Sequence, residues 1–164
     1  MRRCLIRGWV RHGKRFTIGT KWDKITLTEE LISMEIPSQF MDLLSREKRA
    51  MAHLALVKRD GTPQVTPIWF DFDGTHFIFN TARGRVKDKI LRRHPAVAFA
   101  ISDPDNPYRY IQFQGRVVEE TEEGAAEQIA DLAEKYRGRR SYPLRPGEVR
   151  VTYRVLPERA QTMG

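Results

Sequence analysis

The stretch NTARGRVKDK, residues 80–89, joins a strand-like run to a short predicted helix. Gly84 stands in the bend, where a strand-to-helix junction can direct free backbone N–H groups outward, as an anion site requires. Arg85 adds a planar fork of donors and Lys87 adds a point charge, and this pair is common at sites that hold phosphate. The stretch therefore predicts a phosphate site at the junction, around which the other predicted elements are arranged.

The same charges also have a plainer interpretation. Runs of charge usually mark a solvated surface. On this interpretation six basic side chains only cover the exposed face of a helix, namely Arg83, Arg85, Lys87, Lys89, Arg92 and Arg93. The spacing alone leaves both interpretations open.

Three predicted strands lead into the junction. Residues alternate between two faces over 52–58, 63–71 and 75–81, and turn-forming residues separate the three runs. Pro63 and Pro67 cannot donate to a sheet ladder, so the middle strand is expected at an edge of the sheet, or bulged on that side. Gln64 and Thr66 share one face of that strand. Trp69 lies on the other face and fits either a plain core aromatic or part of a site.

The predicted elements on either side complete the fold class. Ser38 is expected to cap an N-terminal helix, and a second helix is expected over residues 122–137. Strands are predicted over 96–102 and 110–120, with a bulge at Gly115. The last strand alternates, with Val149, Val151, Tyr153 and Val155 inward and Arg150, Thr152 and Arg154 outward. Six alternating strands with few helices indicate a mainly β protein, a small antiparallel barrel.

Composition sets further bounds on the class of protein. A chain of 164 residues that is 40% hydrophobic and 30% charged suggests one globular domain. The lone Cys4 excludes an internal disulfide, which fits the reducing cytoplasm. Four scattered histidines show no metal-ligand spacing, so no metal centre is expected. No apolar run approaches the length of a membrane span, so no membrane partner is expected.

The basic balance of the chain is concentrated at one end. The net charge is +8, and residues 1–33 carry eight Lys or Arg side chains against three Asp or Glu. We interpret residues 1–33 as an N-terminal extension, either mis-called or disordered, and residues 34–164 as the folded domain. A basic chain invites a nucleic-acid partner. The predicted strands carry no row of exposed aromatic residues for base stacking, so none is expected.

Several short motifs occur together in a fixed order. They are VKRDGTPQ (57–64), TPIWF (66–70), FNTARGRVK (79–87), LRRHPAV (91–97), DPDNPYRY (103–110) and QGRV (114–117). With these motifs, residues 38–157 resemble the pyridoxamine 5'-phosphate oxidase-like family. More narrowly, they resemble its branch of coenzyme F420 (deazaflavin)-dependent oxidoreductases. The resemblance implies a six-stranded antiparallel split β-barrel of the FMN-binding type, flanked by short helices.

The resemblance also implies a cofactor and a site. F420, with FMN as the alternative, would pass a hydride to a small electron-poor acceptor, and no catalytic side chain is identified. The family implies a homodimer with its cofactors at the interface. The phosphate would be held by Thr81, Arg85 and Lys87, and the ring by Gln64, Thr66 and Pro67, with Asn80, Ala82 and Tyr110 nearby.

One departure from the family and one rival function remain. Ile90 stands where many relatives carry Asn, which puts the affinity for the phosphate in doubt. A carrier that binds a flavin or haem without turnover would show the same lack of catalytic residues.

Overall fold

The computed structural model describes residues 36–164, which belong to one compact unit. A short 3₁₀ helix, Ser38–Leu44, precedes the sheet. The strands are β1 (Ala52–Val57), β2 (Pro63–Ile68), β3 (Phe70–Phe72), β4 (Phe77–Ala82), β5 (Ala96–Ser102), β6 (Tyr110–Thr121) and β7 (Arg150–Met163). The helices are α1 (Val86–Leu91) and α2 (Ala125–Arg137). The predicted extension, residues 1–33, lies outside the described residues, so that division of the chain stays a prediction.

The strand order forces the sheet to curl. All seven strands form one antiparallel sheet in the order β2-β1-β5-β6-β7-β4-β3. β2 and β3 therefore stand at opposite ends of the sheet, yet only Trp69 separates them in the chain. One residue spans at most about 3.6 Å, so the two edges must lie side by side. The predicted mainly β barrel is confirmed.

The predicted strand count of six is wrong, because the run 63–71 is two strands. Its first half pairs with β1, and its second half pairs with β4. The break falls at Trp69, where the chain passes from one edge of the sheet to the other. β2 is a terminal strand, so the edge position predicted from Pro63 and Pro67 is confirmed.

A gap remains between the two halves of the barrel. β3 pairs only with residues 77–79 of β4, whereas residues 80–82 pair with β7 on their other side. Among the described residues, β2 pairs with β1 alone. Two strand edges beside the crossover at Trp69 therefore have no strand partner among the described residues. One is in β2, and the other is at the end of β4.

Aromatic side chains fill the inside of the barrel. Phe77 lies at the centre, with its ring 4.6 Å from that of Phe99 and 4.5 Å from that of Phe113. All three are at most 5% exposed. Burying one such side chain is worth roughly 1.5–3 kcal/mol, so this cluster holds β4, β5 and β6 together. Ile90, from α1, also belongs to this core and is 8% exposed.

Gly115 is where β7 bends over β6. The β6–β7 register shifts between Gln114 and Gly115, which confirms the predicted bulge. A Cβ at Gly115 would lie 2.3 Å from the backbone oxygen of Leu156, so no larger residue fits without a shift of the backbone. The close approach lets β7 follow the curl of the sheet along most of its length.

Two helix predictions and one strand face need correction. The first helix is a short 3₁₀ turn that begins at Ser38, and the Ser38 side chain does not cap it. α2 begins at Ala125 rather than at residue 122. In β7, Arg150 and Thr152 were predicted to face outward but are buried at 5% and 6% exposure. The reason is that α2 packs against that face of β4 and β7.

No helix among the described residues is both long enough and apolar enough to cross a bilayer.

Candidate cofactor site

Most of the predicted site residues border the gap in the barrel. Gln64 and Thr66 lie on β2 opposite Leu56 and Leu54, so they face the inside of the barrel. Pro67 is on the other face of the same strand and is exposed. Across the gap lie the end of β4, which carries Asn80, Thr81 and Ala82, and the turn that carries Arg85 and Lys87. A cavity of about 190 Å³ at the gap is lined by Pro67, Asn80, Arg85 and Lys87, among others.

Tyr110 does not join this group within one chain. It pairs with Met163 at the far end of β7, whereas Asn80 pairs with Thr152 near the beginning of β7. At about 3.3 Å per residue, the two positions are separated by about 35 Å along the strand. Within one chain, Tyr110 therefore lies outside the candidate site.

Two of the predicted residues carry buried polar atoms that lack a partner. The side-chain oxygens Gln64 Oε1 and Thr81 Oγ1 are inaccessible and make no hydrogen bond within the described residues. Leaving such a group unpaired costs about 1–3 kcal/mol, so native structures rarely do so without a reason. The two atoms belong to opposite sides of the gap, on β2 and on β4. They fit a site completed by a polar ligand.

Three backbone N–H groups of the turn, those of residues 83–85, donate to acceptors inside the protein. The N–H of Arg83 donates to the Val149 oxygen at 2.9 Å, and that of Gly84 donates to Asp88 Oδ2 at 2.8 Å. The N–H of Arg85 donates to the Ala82 oxygen at 3.3 Å. These three N–H groups are therefore not free for an anion, and at this part of the turn the attraction comes from side chains.

Asp88 fixes the shape of the junction from inside. Its carboxylate is 1% exposed and accepts hydrogen bonds from the Gly84 N–H, the Tyr153 hydroxyl at 2.8 Å and Arg83 at 3.0 Å. Burial alone would raise the pKa of Asp88, but the bonds from Gly84, Tyr153 and Arg83 outweigh burial and lower the pKa. The bend at Gly84 is thus held by a buried carboxylate.

Arg83 forms ion pairs within the protein and is not a free surface charge. Its guanidinium contacts Asp88, Glu120 and Glu122. With three carboxylates around it, Arg83 is neither the free solvated charge of the plainer interpretation nor a free donor for a ligand. Of the six basic residues in the run, Arg85 and Lys87 line the cavity.

Arg150 is a functional candidate that the sequence did not reveal. Its Nε donates to Asn80 Oδ1 at 2.7 Å, and its Nη1 donates to Glu148 Oε1 at 2.9 Å. The Asn80 amide donates in turn to the backbone oxygen of Ala125 in α2 at 2.8 Å. Asn80 therefore holds Arg150 in place. The alternation along β7 does not show that α2 covers the face that carries Arg150 and Thr152. No sequence signal therefore pointed to Arg150.

The cationic side chains in the cavity repel one another. Four of them line it: Arg85, Lys87, Arg137 and Arg150. Burial, followed by the nearby charges of Arg85 and Arg150, lowers the pKa of Lys87. An anion bound among these groups would relieve both penalties at Lys87. The side chains therefore form a cluster of positive charge that is suited to an anion.

Aromatic residues form one wall of the site. The Trp69 ring stacks on Tyr136 at 5.3 Å with 4° between the planes, and Tyr142 meets Trp69 edge-on at 6.1 Å. The Arg137 guanidinium lies 4.7 Å from the centre of the Trp69 ring. Trp69 is therefore not a plain core aromatic. It forms the crossover of the barrel and also lines the cationic cavity.

A second cavity adjoins the first. It has a volume of about 340 Å³ and shares Arg85, Arg137 and Tyr142 with the first cavity. The loop between α2 and β7 supplies the rest of its lining, including Arg145 and Glu148. The basic lining thus continues from Arg85 and Arg137 to Arg145 in this loop.

Replacing Asp88 tests whether its carboxylate holds the junction. Because its folded pKa is lowered, Asp88 adds stability above its unfolded pKa, and that stability is lost as the pH falls through the folded pKa. We expect Asp88→Asn to lower the free energy of unfolding at pH 7 by about 1–3 kcal/mol and to flatten the acid limb of stability against pH. Urea unfolding between pH 2 and pH 7 measures both effects.

The exposed Glu123→Gln serves as the control, and it should leave the stability curve unchanged. An acid limb that is equally steep in Asp88→Asn and in the wild type would contradict the role of Asp88.

Comparison with solved structures agrees with this architecture. One structure, named F420 Reductase, is 34% identical with a TM-score of 0.69, and the match covers 77% of this chain and 98% of that one. A conserved hypothetical protein from Mycobacterium tuberculosis is 25% identical with a TM-score of 0.62, covering 83% and 89%. A pyridoxamine 5'-phosphate oxidase-like protein from Listeria innocua, 19% identical with a TM-score of 0.58, covers 76% and 94% and shows the fold alone.

No protein of curated function matches the sequence significantly. The sequence model of the pyridoxamine 5'-phosphate oxidase family matches residues 37–163, which is nearly the whole of the described domain. The protein therefore belongs to the pyridoxamine 5'-phosphate oxidase family.

Proposed function

We propose that this protein is an oxidoreductase that binds coenzyme F420 at the gap in the barrel and reduces a small electron-poor acceptor. The observation that carries the proposal is the cluster of cations that lines the cavity at the gap, namely Arg85, Lys87, Arg137 and Arg150. The unpartnered atoms Gln64 Oε1 and Thr81 Oγ1, on the two strands that border the gap, support it. A ring with polar edges along β2 would pair with Gln64. A phosphate at the junction would accept a hydrogen bond from the Thr81 hydroxyl and neutralise Arg85 and Lys87.

The protein's own part in this chemistry is binding and shielding. When bound, the deazaflavin supplies the hydride, and the protein orients it against the acceptor. Gln64 and Thr66 present polar groups on the inner face of β2, and Trp69 with Tyr136 forms an apolar wall. Such a site favours transfer by proximity and by exclusion of water.

The second cavity supports F420 over FMN. FMN ends at its phosphate, whereas F420 continues beyond its phosphate into a tail of carboxylates. Arg137 and Arg145 extend the cationic lining past Arg85, as such a tail would require. The 34% identity to a structure named F420 Reductase supports the same choice.

FMN is the second candidate cofactor, and one observation favours it. The phosphate of FMN is a monoester that carries up to two charges, and Arg85, Lys87 and Arg150 line the same cavity. The departure at Ile90 favours neither cofactor, because this side chain packs in the core and does not line the cavity.

We also propose a homodimer with its cofactor sites at the interface. The outer face of β1 and β5 carries Ala55, Ala98 and Ala100, with Ala55 directly opposite Ala98. They line a cavity of about 710 Å³ together with His53 and Val65, and Val65 is 64% exposed. Small side chains on a broad sheet face allow a second copy to approach closely. A second copy would also supply a Tyr110 from outside the chain.

The phosphate site can be tested by removing its cations. We expect Arg85→Ala and Lys87→Ala each to weaken F420 binding by at least about tenfold, because each charge-assisted hydrogen bond is worth about 1.5–3 kcal/mol. Absorbance titration with F420 and with FMN measures the affinity and shows which cofactor is preferred. Arg59→Ala, in the exposed β1–β2 turn, is the matched control and should bind like the wild type.

Unchanged affinity in both variants, with the fold retained, would refute the site. The same proteins then separate an enzyme from a carrier. Stopped-flow oxidation of reduced F420 by a quinone, a furanone or an unsaturated ester should be fast with the wild type. A protein that binds F420 without accelerating any of these reactions would be a carrier.

The dimer face can be tested with one charge. Ala98→Arg should convert a dimer of the full chain into a monomer. An interface of ordinary size buries about 800 Å² per partner, and the arginine would place a bulky charge without a partner inside that buried area. Light scattering coupled to gel filtration measures the mass. Thr75→Arg, in the β3–β4 turn, should remain dimeric, and a monomeric wild-type protein would contradict the proposal.

A further inference from the structure

Glu148 is a carboxylate set among cations. Among the described residues that line the two cavities, Glu148 is the only acidic side chain. The basic side chains in the same two linings are Arg85, Lys87, Arg137, Arg145 and Arg150, and Glu148 contacts two of them, Arg85 and Arg150. The Glu148 side chain is 10% exposed. Its N–H donates to the Arg145 oxygen at 2.9 Å, which fixes the turn that carries it.

Glu148 joins one fixed cation to one adjustable cation. Its Oε1 accepts from Arg150 at 2.9 Å, and Arg150 is 3% exposed and also tied to Asn80. Its Oε2 accepts from Arg85 at 3.1 Å, and the Arg85 side chain is 45% exposed. Arg150 therefore cannot leave without breaking a buried network, whereas Arg85 can turn toward a ligand at little cost.

We propose that Glu148 is a built-in anion that an incoming phosphate must displace from Arg85, so that Glu148 determines which anions the site accepts. A ligand with a single charge would replace the Glu148 carboxylate at Arg85 by another anion, so it would gain little binding energy. A ligand with several charges gains from Lys87 and Arg137 as well and outcompetes Glu148. This inference rests on the proposed function only for the identity of the natural ligand.

The charge state of Glu148 is consistent with this role. The hydrogen bond from Arg150, together with the nearby charges of Arg150 and Arg85, lowers the pKa of Glu148 in spite of burial. The carboxylate therefore stays ionised at neutral pH and neutralises part of the cationic cluster before any ligand binds. In its absence the cluster would attract small anions without selection.

The test removes the charge of Glu148 and keeps its shape. Glu148→Gln retains an oxygen that can accept from Arg150. We expect this variant of the full chain to bind pyrophosphate at least about fivefold more tightly than the wild type, because one repulsive charge beside the ligand is gone. Isothermal titration calorimetry at pH 7 measures the affinity. Glu123→Gln is the control, because Glu123 is exposed and lines neither of the two cavities.

A pair of deazaflavins shows where the effect acts. F420 should bind more tightly to Glu148→Gln, whereas the deazaflavin without its phosphate tail should bind both proteins equally. Pyrophosphate affinity that is unchanged or weaker in Glu148→Gln overturns the inference, and so does a failure of pyrophosphate to bind either protein. Failure of F420 alone to bind would count against the proposed function and leave the pyrophosphate result to decide the role of Glu148.

A second measurement needs no variant. In the wild-type protein, NMR titration of the Glu148 carboxyl carbon should show a higher pKa with pyrophosphate bound than without it. Displacement removes Arg85 from the carboxylate and places a second anion nearby, and both changes favour the protonated form. An unchanged or lower pKa on binding would mean that Glu148 is only a structural partner of Arg150.

Discussion

The one-residue link at Trp69 constrains the rest of the structure. Because β2 and β3 are the two ends of a seven-stranded sheet, the link brings the edges together and closes a barrel. The same link prevents complete closure, since the chain turns from pairing with β1 to pairing with β4 within a single residue. The gap beside Trp69 leaves two strand edges without partners among the described residues, and polar side chains from both sides border it.

α2 covers the outer face of β4 and β7 and forms one side of the candidate site. It is fastened to the crossover by Tyr136, whose hydroxyl donates to the Ala50 oxygen at 2.7 Å, and by Lys135, whose ammonium donates to the Phe70 oxygen at 3.0 Å. Lys135 is 4% exposed, and burial lowers its pKa. Placing an ammonium there is costly, so the bond to Phe70 and the nearby Asp71 at 3.7 Å are needed to hold it. With α2 fixed in this way, the β7 face that carries Arg150 is removed from solvent.

The cationic site is therefore assembled before any ligand binds. A buried guanidinium without partners would be strongly destabilising, and Arg150 avoids this through Asn80 and Glu148. Asp88 in the same way fixes the junction from beneath through Gly84 and Tyr153. The site has more positive than negative charge, and two polar oxygens remain unpaired. Preorganisation of this kind lowers the cost of binding, because little of the protein needs to be ordered when the anion arrives.

The sequence by itself determined the local pattern of this protein. Strand alternation, the edge prolines, the turn glycines and the motif order were sufficient for the fold class and the family, because each depends on residues close together in the chain. The tertiary structure alone decided the break at Trp69, the burial of Arg150, the use of the Gly84 N–H by Asp88 and the distance of Tyr110 from Asn80. A two-residue period shows which side chains share a face of a strand, but what covers that face depends on elements far away in sequence.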